Sequence, residues 1–152
     1  MLLAIALFLT TAFPSSSRTA WMRPESFRLT IGMSREAAVK TLKEDGWKPE
    51  KGDRDNQIIV DYAGNKSLTL EFQRERLTSI RFELFVMMPE VAGAFDEEKT
   101  FLRNKHGAPK AIKSKSMLIY DSTLPNIIVV QTTDKTKGLG VLAVRYYDPV
   151  VR

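Results

Sequence analysis

The chain has no cysteine and one histidine among its 152 residues. The missing cysteine excludes disulfides, thiol catalysis, cysteine-ligated metal and a lipid-modified cysteine. One histidine without cysteine cannot assemble a typical zinc site, and no Asp-x-Asp-x-Asp-Gly loop is present for calcium. His106 stands in Lys105-His106-Gly107 at the end of a predicted helix. The helix dipole favours a protonated imidazole there, and no nucleophile pairs with it in sequence. Asp96, Glu97 and Glu98 resemble paired carboxylates, but helical neighbours point about 100° apart, so they are expected to form mostly a solvated face. Gly138-Leu139-Gly140 precedes no helix that could offer N-terminal amides, which makes it a hairpin turn and not a phosphate loop. These absences argue against an enzyme, and no cofactor is expected.

No apolar run is long enough to span a bilayer, which needs roughly 20 residues. The stretch Leu2–Phe13 is apolar apart from two threonines, the length of a signal-peptide h-region. Pro14 and Ser15–Ser17 follow as a cleavage region, with small residues placed for cutting after Ala12 or Ser17. No Lys or Arg precedes the run, so residues 1–17 read as a signal peptide or a short N-terminal anchor. The expected location is periplasmic or secreted, with no transmembrane span in the mature chain. Residues 18–26 read as a linker, with Trp21 either anchored on the domain or exposed. The remaining residues, 27–152, are long enough for one domain with a real core. Hydrophobic residues make up 43% and charged residues 27%, which is globular composition, not disorder. The net charge of +5 suits solubility and weak attraction to anions without implying nucleic acid.

What is present begins at Phe27. Phe27, Leu29 and Ile31 alternate with Arg28 and Thr30, the pattern of a half-buried strand. Gly32 breaks it, and Ser34 stands as a helix N-cap. Met33 and Ala38 can form a hydrophobic staple, and Glu36 complements the dipole in the first turn. Ala38 and Leu42 share a face, Gly46 stops the helix and Pro49 keeps it from resuming. Trp47 is expected to fold back onto the core.

Three strands follow. Ile58, Val60 and Tyr62 alternate with Ile59 and Asp61; Leu68, Leu70 and Phe72 with Thr69 and Glu71; Ile80, Phe82 and Leu84 with Arg81 and Glu83. Turns fall at Ala63–Lys66 and Arg74–Arg76, so the run is an antiparallel meander with one polar face. In the second half Val91, Ala94, Phe95, Glu98, Phe101 and Leu102 recur at helical spacing, and five of the six are apolar. Gly107 and Pro109 end that helix, and strands are expected at 117–121, 126–132 and 140–147.

The order of helix and three strands thus occurs twice. Leu42 and Leu102, Pro49 and Pro109, Asp61 and Asp121, Leu68 and Ile128, and Leu70 and Val130 each lie sixty apart. The last strand slips by two, pairing Ile80 with Leu142 and Phe82 with Val144. The expected fold is α+β: a tandem αβββ repeat over 27–86 and 89–149, with an antiparallel sheet of about six strands and two helices on one face.

The entry segment Ile31, Gly32, Met33, Ser34, Val39 and Leu42 resembles that of the β-lactamase inhibitor protein family. It also resembles the small lipoproteins of outer-membrane barrel assembly. That family is itself a tandem repeat of helix-plus-sheet units, so the resemblance implies this fold and a habit of binding proteins. The second copy, Pro89–Leu102, lacks the Gly-Met-Ser signature, and the cysteines of both groups are absent.

Two sets of residues are candidate sites. If the alternation holds, Glu71, Arg81, Glu83, Phe85, Arg145 and Tyr147 project away from the helices, with Val129, Val141 and Ala143 adding apolar surface. Arg, Tyr and Phe together are typical interface anchors. Arg103, Lys105, Lys110, Lys113 and Lys115 form a basic cluster that either complements the helix end or attracts an anion. Nucleic acid is the least expected partner, because aromatics for base stacking are missing from that cluster. The expected function is capture of another envelope or secreted protein on the open sheet face. The rival reading is a pocket between sheet and helices for a small apolar or anionic ligand.

Overall fold

The first helix owes its ends to local chemistry. In the computed structural model, which describes residues 17–120 and 126–149, α1 spans Arg35–Glu44. The Ser34 hydroxyl accepts the Ala37 backbone N–H at 3.1 Å, a cap contributing about 1 kcal/mol. At the other end Gly46 takes φ +85°, Trp47 N–H bonds to Leu42 O and Gly46 N–H to Lys43 O. This six-to-one and five-to-two pair satisfies two of the last free carbonyls. Trp47 then turns back, its ring 4.7 Å from Tyr62 and 5.4 Å from Phe27.

The strands are β1 Glu50–Lys51, β2 Gln57–Tyr62, β3 Lys66–Gln73 and β4 Arg76–Met87. After α2, Val91–His106, come β5 Ala111–Ser114, β6 Met117–Tyr120, β7 Asn126–Asp134 and β8 Leu139–Tyr147. They form one antiparallel sheet of eight strands in the order β1-β2-β3-β4-β8-β7-β6-β5. The two extra strands, β1 and β5, are the sheet edges. Each is short and follows a helix and a proline, Pro49 or Pro109. At two and four residues they are too short to show alternation.

The sheet buries one face. Across the strands Leu68, Phe82, Val144, Val129 and Leu118 lie in one row, and Leu70, Ile80, Tyr146, Ile127 and Tyr120 in the next. All ten are at most 5% exposed. They meet Ala38 and Leu42 of α1 and Val91, Ala94, Phe95 and Leu102 of α2, which are buried as well. At about 1.5–3 kcal/mol for each large side chain, this face dominates the stabilisation. The spacing of sixty misassigns one strand: Ile128 and Val130 lie on the opposite face from Leu68 and Leu70, and Ile127 and Val129 take the core positions. Asp121 lies outside the described residues, as do residues 1–16 with the apolar run and the Ala12 cleavage site, while Ser17 is described and exposed.

The segment before α1 differs most from expectation. Phe27–Ile31 is not a strand. Pro24–Phe27 is a 3-10 turn, Arg28 takes φ +53°, and only Ser34 bridges to the sheet, at Arg76. Phe27 and Leu29 are buried all the same, so the alternation recorded packing and not strand pairing. Residues 18–26, expected as a linker, pack into the domain. Thr19, Met22, Arg23 and Pro24 are buried, and the Trp21 ring packs edge-on against Phe82 at 5.7 Å. Arg23 forms two bonds of 2.9 Å to Glu98 of α2. Glu98, placed on a solvated face by sequence, is therefore the most buried acid of α2, while Phe101 is 37% exposed beneath the Arg23 guanidinium.

Candidate functional site

Each core row alternates with a row on the other side of the sheet. Those residues are Thr69, Arg81, Arg145, Ile128 and Ile119 in one line, and Ser67, Glu83, Ala143, Val130 and Met117 in the next. Glu71, Ser79 and Tyr147 continue the first side, and Phe85 and Val141 the second. All six residues expected to project from the sheet stand together on this face. Neither helix packs on it.

The face has two halves. The half over β2, β3, β4 and the end of β8 is polar. Arg81 and Arg145 are cross-strand partners, a like-charge pairing that costs about 0.2–1 kcal/mol by itself. Carboxylates on either side offset it. Glu71 accepts Arg145 Nη2 at 2.9 Å and Gln57 Nε2 at 2.9 Å, and Arg145 Nε donates to Ser79 Oγ at 2.7 Å. Glu83 lies 3.7 Å from Arg81 Nε and accepts Ser67 Oγ at 3.2 Å. The Arg145–Glu71 pair is half solvated, and such pairs contribute between zero and about 1 kcal/mol. Arg81 is held more loosely, so its guanidinium is the better placed of the two to meet another molecule. The Arg145 guanidinium lies 5.6 Å from the Tyr147 ring. Arg54, Gln57, Glu71, Arg81, Arg145 and Tyr147 border a basin of about 560 Å³.

The half over β6, β7 and β8 is apolar. Met117, Ile119, Ile128, Val130, Val141 and Ala143 are half-buried by one another, and Phe85, at the rim, is 38% exposed. Val129, expected here, is fully buried in the core. The alternation missed Ile128 and Val130 because Ile127–Val130 is an unbroken apolar run and carries no phase.

The basic cluster divides into two groups. Arg103 and Lys105 lie in the last turn of α2, where they complement its dipole, and Lys105 reaches Glu25 at 3.3 Å. Lys110, Lys113 and Lys115 are exposed along β5 and its turn, on the sheet edge. Lysines along an edge strand oppose pairing with another chain. His106 closes α2 half-buried. Burial, with Lys105 beside it, lowers its pKa below the ordinary 6.5, against the expectation from the dipole alone. The three carboxylates 96–98 diverge: Asp96 bonds to Lys99, Glu97 to Arg18 and Glu98 to Arg23. Burial raises the Glu98 pKa, and Arg23 and Thr19 pull it back.

Among the described residues no three His, Asp or Glu side chains gather where they could hold a metal. No described helix is long and apolar enough to cross a membrane. Comparison with protein-family models, curated proteins and solved structures finds no match.

Proposed function

We propose that this chain is an exported, non-enzymatic module that captures another envelope or secreted protein on the open face of its sheet. The observation that carries this reading is the composition of that face. A patch of half-buried apolar side chains, Met117, Ile119, Ile128, Val130, Val141 and Ala143, on which neither helix packs, adjoins an arginine–glutamate cluster with Tyr147 and Phe85 at its margins. Contiguous exposed apolar surface rimmed by polar residues marks interaction sites, and Arg and Tyr are favoured as anchors within them. In this reading Arg81 and Tyr147 grip a loop or edge of the partner, Phe85 and Arg145 flank it, and Glu71 and Glu83 fix the charge register. Export is supported by the apolar run Leu2–Phe13.

The strand order belongs to the same proposal. Each half supplies one helix and then four strands running from a sheet edge to the centre, where β4 pairs with β8. Duplication of an ancestral unit accounts for that order, and the resemblance of Ile31–Leu42 to the inhibitor family fits a duplicated binding fold. A small-ligand reading keeps one support, the polar basin beside Arg81 and Arg145. The space between helices and sheet is filled by Phe27, Leu42, Phe72, Phe82 and Leu102.

The test is capture from an envelope extract by the immobilised chain, washed at high salt, with wild type beside an Arg81→Ala/Tyr147→Ala variant. A single partner held by wild type and released by the equally folded variant is the expected result. Equal retention by both removes these residues from the site.

A further inference from the structure

Arg81 spends none of its side-chain N–H groups on a hydrogen bond among the described residues. Its Nε is closed off from solvent without an acceptor, because Glu83 at 3.7 Å is beyond hydrogen-bond distance. The side chain as a whole is 43% exposed, so the rest of the guanidinium is open to another molecule. It borders the basin of about 560 Å³ together with Arg54. Arg54 is exposed in the loop before β2, and its guanidinium likewise has no partner among the described residues.

The carboxylates around the basin do not serve these two arginines. Glu71 accepts one donor on each oxygen, Gln57 on one and Arg145 on the other, so it neutralises Arg145. Asp148 has a partner as well. Glu83 accepts the Ser67 hydroxyl and meets Arg81 only as a distant ion pair. Asp53 is exposed on the Arg54 loop and is bonded to neither guanidinium. What the basin lacks is an acceptor for Arg81 and Arg54.

A guanidinium takes a carboxylate through two parallel N–H···O bonds. Glu71, Glu83 and Asp53 repel a second negative charge, so a singly charged carboxylate suits the basin better than a phosphate dianion. The strand register gives that carboxylate a source. Arg81 pairs with Arg145, and Arg145 with Ile128 of the apolar half. Arg81 therefore lies two strand spacings, about 10 Å, from Ile128. A segment laid across the face would cover Ile128 and reach the basin within about three extended residues.

Resting on the capture reading of the open face, we infer that the captured protein presents an aspartate or glutamate to this basin. Arg81 and Arg54 hold its carboxylate, and an apolar side chain about three residues away sits on Ile128.

The full chain with isotope-labelled arginine is titrated with the acetylated and amidated peptide Leu-Gly-Gly-Asp, with its Leu-Gly-Gly-Asn analogue, or with inorganic phosphate. The Nε–H resonances of Arg81 and Arg54 are identified by their loss in Arg81→Met and Arg54→Met. Saturable shifts of both with the aspartate peptide are expected, with severalfold weaker binding of the asparagine peptide. Arg103, exposed on α2, should not move. Equal binding of the two peptides, or matching shifts at Arg103, would overturn the subsite. A response to phosphate but not to the aspartate peptide would overturn it too. A photo-crosslinking residue at Ile128, used in envelope extract, keeps the two readings apart. A crosslinked partner beside a silent Arg81 strikes the carboxylate subsite and leaves the capture reading standing. A responsive Arg81 with no crosslink at 128 keeps the subsite and strikes the capture reading.

Discussion

Arg23 and Glu98 meet inside the protein through two bonds of 2.9 Å, although 75 residues separate them in sequence. The pair holds the segment before α1 against α2. Arg23 also donates to the Met22 carbonyl at 2.7 Å, and that carbonyl accepts the Tyr146 hydroxyl at 3.3 Å. One ion pair therefore connects the N-terminal segment, the second helix and the central strand β8.

Breaking that pair from one side leaves an uncompensated buried charge. Glu98→Gln is expected to destabilise the domain by about 3–5 kcal/mol, and Arg23→Met by a similar amount. Replacing both with apolar residues of like volume should recover much of the loss. Urea unfolding of the two single variants and the double variant measures this. Additive losses would contradict the pairing argument.

Gly140 sits directly beneath Val91 at the start of α2. A Cβ added there would lie 2.6 Å from the Val91 Cβ, closer than packed carbons approach. Gly140→Ala should push α2 off β8 and cost about 1–3 kcal/mol. An unchanged unfolding midpoint would show that the helix shifts freely.

His106 offers a pH test. Burial and the neighbouring Lys105 lower its folded pKa below 6.5, so protonation favours the unfolded chain. Its contribution to stability is complete above the unfolded value and is lost as pH falls through the folded one. The single histidine gives one imidazole C2–H resonance, whose NMR midpoint should fall below 6.5. His106→Asn should flatten stability across the same window. A midpoint above 6.5 would mean that the helix dipole outweighs burial.

Features set by neighbours in the chain were legible in the sequence. The Ser34 cap, the Gly46 stop and the alternation through β2, β3 and β4 all depend on residues a few positions apart. The phase of Arg81, Glu83 and Arg145 came from that alternation, which is why the polar half of the open face could be read. Features set by distant partners could not be. Nothing near Arg23 announces burial, because its carboxylate lies on α2. Phe27 and Leu29 alternate as a strand would, yet both are buried without strand pairing, Phe27 facing Trp47, Tyr62 and Phe82 from a turn. The Arg74–Glu75 turn was legible only from the break in alternation, because both residues take positive φ, +47° and +59°, where glycine or asparagine is the usual signal. In the apolar half Val141 and Ala143 were legible, while Ile128 and Val130 stayed hidden in the unbroken run of β7.

The proposed partner protein would lie on the open face of the sheet. A photo-crosslinking residue placed at Ile128, half-buried on that face, tests it against the same residue at Lys40, exposed on α1. In envelope extract, one crosslinked protein is expected from position 128 and none from position 40. The same product from both positions, or product from position 40 alone, would contradict it.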